Sequence, residues 1–207
     1  MKRRNKASLL ILLACAIFNG PAHSQTFIGP AIGYDLAKYE SKLVFPTMSH
    51  FEFMDKGFST GSTVLGIYAT HRFNELFELN YKFGFTKKEA GIRTSGFVGF
   101  DKMQFTCFYN TLSVCYKPIP FLFLEIGGNY HLIQDISYSV RTAPGIESDA
   151  KLTDYGIHFG LGPCYKNLKF EVYYNLGLNE NQDQSQLLVM CPVESLGLGL
   201  TYQVRLF

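Results

Sequence analysis

The sequence predicts an all-β protein, an eight-stranded up-and-down antiparallel transmembrane β-barrel. Three patterns carry that expectation. Apolar and polar residues alternate along eight segments, the connections between them alternate between long and short, and charged residues make up only 17% of the chain. Alternation marks a strand with two unlike faces, because successive side chains leave a strand in opposite directions.

The chain divides into a signal peptide, residues 1–24, and a barrel, residues 25–207. Lys2, Arg3, Arg4 and Lys6 precede an apolar run from Leu9 to Phe18, and Gly20, Pro21 and small residues follow. That order is a secretory signal with its cleavage site at Ala22-His23-Ser24, leaving Gln25 first. A competing reading takes Leu12 to Cys15 as a lipoprotein box acylating Cys15, but the run stays apolar past Cys15 and no polar tether follows. Cleavage removes four basic residues and no acidic ones, so 15 Lys+Arg face 17 Asp+Glu in the remainder. A mildly acidic chain argues against a nucleic-acid partner. After the signal no run of about 18 apolar residues occurs, so no helix is expected to span a membrane.

Strands are expected over 27–36, 62–71, 76–86, 104–116, 121–133, 154–164, 168–178 and 194–206. In the second, Val64 and Tyr68 compete with Leu65 and Ile67 for the apolar face. The third is the cleanest, with Phe77, Leu79, Tyr81, Phe83 and Phe85 on one side and Glu78, Asn80, Lys82 and Gly84 on the other. Later strands repeat the arrangement: Leu124 and Ile126 against Glu125 and Gly127, Phe159 and Leu161 against His158 and Gly160, Phe170 and Val172 against Lys169 and Glu171, Leu198 and Leu200 against Gly199 and Thr201. Short connections carry turn residues, Asn74, Lys117-Pro118-Ile119-Pro120 and Asn167. Long connections, 37–61, 87–103, 134–153 and 179–193, lie between them. Such regularity follows from a meander with all odd connections at one end; a Greek-key sandwich gives no reason for it.

Lipid is expected on the apolar face. About ten residues at roughly 3.3 Å each, tilted near 45°, cover the height of an outer-membrane apolar band. The polar faces are mostly Gly, Asn, Thr and Tyr, whereas water would favour Lys and Glu. Tyrosine and phenylalanine collect near the strand ends, as in an aromatic girdle. Eight strands leave an interior just wide enough to be filled by side chains. Glu78, Lys82, Glu125, His131, His158, Lys169, Glu171 and Arg205 are therefore expected to meet in a polar lumen network, paired because unpaired buried charge is costly. A secreted lipocalin-like binder with an apolar lumen is the soluble alternative.

From "FIGPAIGYDL" through "FELNYKFGF" to the final "GLGLTYQVRLF", the chain resembles the small outer-membrane β-barrel family of porin-like and PorT-like domains abundant in Bacteroidetes, with the architecture of the OmpX and OmpA barrels. The resemblance implies outer-membrane lipid as surroundings, insertion by the barrel-assembly machinery, and a last strand bearing the assembly signal, here Tyr202 and Phe207. Phe207 lies one step out of phase with Tyr202, Val204 and Leu206. A monomer is expected, with a structural, adhesive or accessory role in the cell outer membrane, the last in concert with other envelope proteins.

Cys107 and Cys115 lie about 26 Å apart on one strand and cannot join each other. By level, an oxidising compartment allows Cys107–Cys191 and Cys115–Cys164 disulfides across the lumen, against free buried thiols. His131 and His158 show no metal-ligand spacing and read as hydrogen-bonded filler, so no metal or cofactor is expected. Small lipid A deacylases use a His-x-Ser pair, whereas after the signal the only His next to a Ser is in Ser49-His50; no catalytic residue is nominated, with a lipid-modifying enzyme as the rival class. Tyr39, Phe45, Phe51, Phe53 and Met54 load the first long connection with apolar groups, as a hairpin extending above the membrane or as a partner site.

Overall fold

The computed structural model describes residues 24–44, 52–58, 61–91, 100–140, 143–148, 152–178, 181–182, 188–190 and 194–206. In chain order the strands are β1 (Gln25–Val44), β2 (Glu52–Phe58), β3 (Ser62–Arg72), β4 (Phe77–Gly91), β5 (Phe100–Ile119), β6 (Leu122–Val140), β7 (Ala143–Ser148), β8 (Leu152–Tyr165), β9 (Leu168–Gly177), β10 (Asn181–Gln182), β11 (Leu188–Met190), β12 (Glu194–Tyr202) and β13 (Val204–Arg205). Eight of them, β1, β3, β4, β5, β6, β8, β9 and β12, form an antiparallel wall in sequence order. The wall closes because β1 pairs on one side with β3, Gln25↔Arg72 to Asp35↔Ser62, and on the other with β12, Ala31↔Thr201 to Lys38↔Glu194. The barrel is therefore all-β, up-and-down and eight-stranded, as the alternating connection lengths require.

The predicted strands match the observed ones, overrunning them by one residue at 76, 121, 178 and 206, and β1, β4, β5 and β6 run further at the long-connection end. β1 continues to Val44 and pairs with β2, Lys38↔Phe58 to Val44↔Glu52, so the first long connection is largely a hairpin standing on the barrel. β7 likewise folds back on β6, Ser137↔Glu147. Such extensions lack the alternation that marks the wall. Short turns are locally determined: the Asn74 side-chain oxygen accepts from the backbone N–H of Leu76 and of Phe77, 2.9 Å each, a side-chain mimic of a backbone turn. The turn from β8 to β9 is made by Lys166 and Asn167, with Lys166 at φ 52°.

The faces are inverted relative to a soluble barrel. Ile32, Leu65, Ile67, Leu112, Ile126, Leu161, Leu196 and Leu198 are exposed outward, whereas Glu78, Asn80, Cys115, Glu125, His158 and Lys169 are buried within. In β3 the competition resolves, with Val64 and Tyr68 inside and Leu65 and Ile67 outside. Tyr155 and Tyr165 mark the two ends of the outward face of β8, ten residues and about 23 Å apart along the axis at a 45° tilt. That outer surface is matched to hydrocarbon and not to water, so the barrel is of the transmembrane type, and the lipocalin-like arrangement is ruled out.

Inward glycines make room for inward aromatics. A Cβ added at Gly84 would collide with the Tyr109 hydroxyl and the Leu65 carbonyl oxygen, and one at Gly197 with the Tyr173 ring. Gly84→Val is therefore expected to prevent the wall from closing over Tyr109, seen as loss of the heat-modifiable folded band on cold gels, and the paired change Gly84→Val, Tyr109→Ala to restore part of it.

Candidate functional site

Among the described residues, the polar lumen concentrates buried charged and polar side chains. Strand alternation points Glu78, Asn80, Lys82 and Lys88 of β4 inward, facing Glu125 and His131 of β6, His158 of β8 and Lys169 and Glu171 of β9. The side chains meet in three layers.

The middle layer centres on Lys82. Its Nζ donates to Glu125 Oε1 at 2.7 Å and to both oxygens of Glu171 at 2.7 and 2.8 Å. His158 Nε2 lies 3.1 Å from Glu171 Oε1, and its Nδ1 lies 2.7 Å from Asn175 Oδ1. Glu125 also accepts from Ser113 Oγ, 2.5 Å, and Asn80 Nδ2, 2.8 Å. From Asn80 the chain of bonds runs on through Thr70 to Gln203 of the last strand, 3.0 and 2.8 Å. Both carboxylates are thus paired and hydrogen-bonded, the condition under which buried charge is tolerated.

At the short-turn end, Glu78 gathers three cations: Lys117 and Lys169 at 2.6 Å and Arg72 Nε at 2.7 Å. Lys169 also donates to Tyr68 Oη at 3.0 Å. At the long-loop end, Lys88 holds Asp35 at 2.5 Å and His131 lies 3.3 Å from Asp154. A cavity of about 60 Å³ between the middle and long-loop layers is bordered by Asp35, Lys88, Tyr109, His131 and Tyr173. Oδ1 of Asp35 has no protein partner. The space is large enough for a few water molecules, each needing at least about 10–15 Å³.

Seven of the eight expected lumen residues are buried here. Arg205 is the correction: it is exposed at the short-turn rim, because the wall ends beside it, with Phe27 as its last paired neighbour. Sequence reasoning missed Asp35, Arg72, Lys88, Lys117 and Asp154, which extend the same inward phase to or beyond the ends of the expected strands. Cys107, Cys115 and Cys164 are free thiols. A Cys115–Cys164 disulfide is excluded by the wall, since β6 lies between β5 and β8 and two strand spacings of about 4.8 Å exceed the roughly 7 Å Cα limit. Phe123 packs with both, and Cys164 Sγ donates to the Pro120 carbonyl at 3.2 Å. Cys191 and Phe207 lie outside the described residues, while Tyr202 is exposed outward, opposite Leu168.

Glu125, His158 and Glu171 offer ligand atoms within 4.8 Å of one another, a geometry suited to a metal ion. Lys82 occupies the point of convergence and supplies the positive charge itself. His131 stands apart, on Asp154.

A buried polar column inside an apolar sleeve defines the class, a small transmembrane barrel. Solved structures of that class are similar to this chain. Neisserial surface protein A matches with a TM-score of 0.55 at 14% identity, covering 86% of this chain and 99% of that one. The outer membrane protein OprG from Pseudomonas aeruginosa matches with a TM-score of 0.52 at 12% identity, 89% and 98% covered. Ail, the attachment invasion locus protein of Yersinia pestis, solved with a heparin analogue, matches at 0.50 and 12%, with 87% and 99% covered. No family model and no curated protein matches the sequence. The chain has the fold of small eight-stranded outer-membrane barrels.

Two outcomes test the layer at Lys82. Lys82→Met leaves two carboxylates sharing one buried site and is expected to lower stability by about 3–5 kcal/mol in urea unfolding from vesicles. Lys82→Ala vacates the convergence point, so zinc is expected to raise the variant's unfolding midpoint and chelator to reverse it, with the unsubstituted chain indifferent to both.

Proposed function

We propose that this chain is a monomeric integral protein of the outer membrane, with a lumen closed by paired charge and an adhesive or structural role carried by its long-loop end. The inversion of faces is the observation that supports it. Residues exposed on the outside are Leu, Ile, Phe and Tyr, and those buried inside are charged. Filled layers at Glu78, at Lys82 and at Asp35 favour a plug over a conduit. Both ends of the wall sequence, Gln25 and Arg205, lie at the short-turn end, which after an even number of strands puts that end toward the periplasm.

An adhesive role gains support from likeness in fold to Ail, a protein whose description names attachment and invasion. The strand extensions at the long-loop end, β1 with β2 and β6 with β7, give that end a structured stalk to present to a partner. The resemblance to PorT-like domains favours a second reading, an accessory to an envelope machine such as protein secretion. Co-purification of other envelope proteins from the outer-membrane fraction separates the two; a solitary barrel favours adhesion. Released acyl chains on incubation with lipopolysaccharide would replace both with a lipid-modifying enzyme.

The membrane reading is tested at Ile126, outward and midway between Leu122 and Tyr130 of β6. Ile126→Arg is expected to cost about 2–4 kcal/mol in vesicles, the penalty of a cation at the bilayer midplane. A cost within experimental error would mean that no hydrocarbon covers this surface.

A further inference from the structure

The short-turn mouth carries more positive charge than its own carboxylates balance. A cleft of about 460 Å³ opens there, bounded by the turns after β3, β5 and β8. Arg72, Lys117 and Lys166 line it, with Glu75 as the one acid among the lining residues. Directly behind, Glu78 binds Arg72, Lys117 and Lys169. Four cations therefore meet two carboxylates, and two positive charges stay uncompensated. Lys117 is nearly buried, its side chain 10% exposed, so water and salt screen it poorly.

The cleft's other lining is apolar. Leu76 and Ile119 border it and are exposed, close in sequence to Phe121 and Tyr165, the most exposed large aromatics among the described residues. Lys166 holds its Nζ 5.3 Å over the Tyr165 ring. The cleft thus sets cations beside exposed apolar groups at the short-turn end of the wall. Soluble anions match only the first of these features.

We propose that this cleft binds the phosphate headgroup of an anionic phospholipid in the leaflet that meets the short-turn end. Arg72, Lys117 and Lys166 neutralise the phosphate, while the acyl chains leave over Leu76 and Ile119. Basic pockets at the membrane edge recognise such headgroups by this chemistry. The inference rests on the membrane reading above.

The test uses the full chain, refolded into nanodiscs of phosphatidylcholine and phosphatidylglycerol in equal parts, with retained lipid counted by native mass spectrometry on release. Preferential retention of phosphatidylglycerol is expected, and Lys166→Asn should lower the preference about fivefold, the effect of one basic residue near a surface. Asparagine suits the left-handed backbone at this position, and Lys166 takes no part in the Glu78 cluster, so folding is spared. Lys117→Gln gives a second reading where it folds. Equal retention of the two lipids, an unchanged preference in Lys166→Asn, or displacement of the lipid by an equal concentration of glycerol phosphate overturns the proposal. A wild-type chain that gives no heat-modifiable folded form in these discs fails the membrane reading as well, which separates the two failures.

Discussion

Everything in this molecule depends on the closure of β1 against both β3 and β12. An open sheet would leave one row of backbone N–H and C=O groups at each edge, and in hydrocarbon each unsatisfied group costs several kcal/mol. With β1 paired from Gln25 to Asp35 on one side and from Ala31 to Lys38 on the other, the wall has no edge. Only then can its outer surface consist of exposed Leu, Ile and Phe. Once the apolar residues are committed outward, the polar ones have nowhere to go but a lumen eight strands wide.

That lumen solves a packing problem and an electrostatic one together. The inward phase alternates bulky groups with glycine, so that Tyr109 lies over Gly66 and Gly84, and Tyr173 over Gly197. Charges that cannot reach water are brought within hydrogen-bond distance of one another, as at Lys82 with Glu125 and Glu171. The shared hydrogen bonds of Asn80, Ser113 and Asn175 satisfy what the ion pairs leave over. Removing one member therefore affects several others, since each carboxylate serves more than one donor.

Barrel type, strand number and the identity of most lumen residues were legible because a period of two is a strong signal when one face is uniformly apolar. Phe77 to Phe85 needed no structure to be read. At β3 the signal weakened because Tyr68 and Val64, apolar by type, face inward, where Tyr68 serves its hydroxyl to Lys169. Asp35, Arg72, Lys88, Lys117 and Asp154 escaped nomination because apolar alternation fades at the ends of the wall, while backbone pairing and the inward phase persist beyond it. The hairpin of β1 with β2 was legible only from the apolar groups it carries, as one of two readings of the first long connection: above the bilayer neither face is committed to lipid, so its pairing leaves no periodic trace. Disulfide placement by level alone failed at Cys115 and Cys164 because level fixes height and not the number of strands between.

Counted along the axis, the column is neutral and polarised. Asp35, Glu78, Glu125, Asp154 and Glu171 face Arg72, Lys82, Lys88, Lys117 and Lys169, five of each sign among the described residues. The middle and long-loop layers each hold two carboxylates and one lysine, whereas the short-turn layer holds one carboxylate and three cations. Neutrality matters for the whole, because a net charge in a low-dielectric sleeve has no partner to offset its desolvation. Polarisation is tolerated because the cationic excess lies at a mouth, where Arg72 is part-exposed and solvent or a headgroup reaches it. The acidic excess is deeper and is met differently. Both histidines found in the lumen lie in the two acid-rich layers, each on a carboxylate, His131 on Asp154 and His158 on Glu171. Each acid-rich layer thus sets a histidine ring nitrogen against a carboxylate in addition to its lysine.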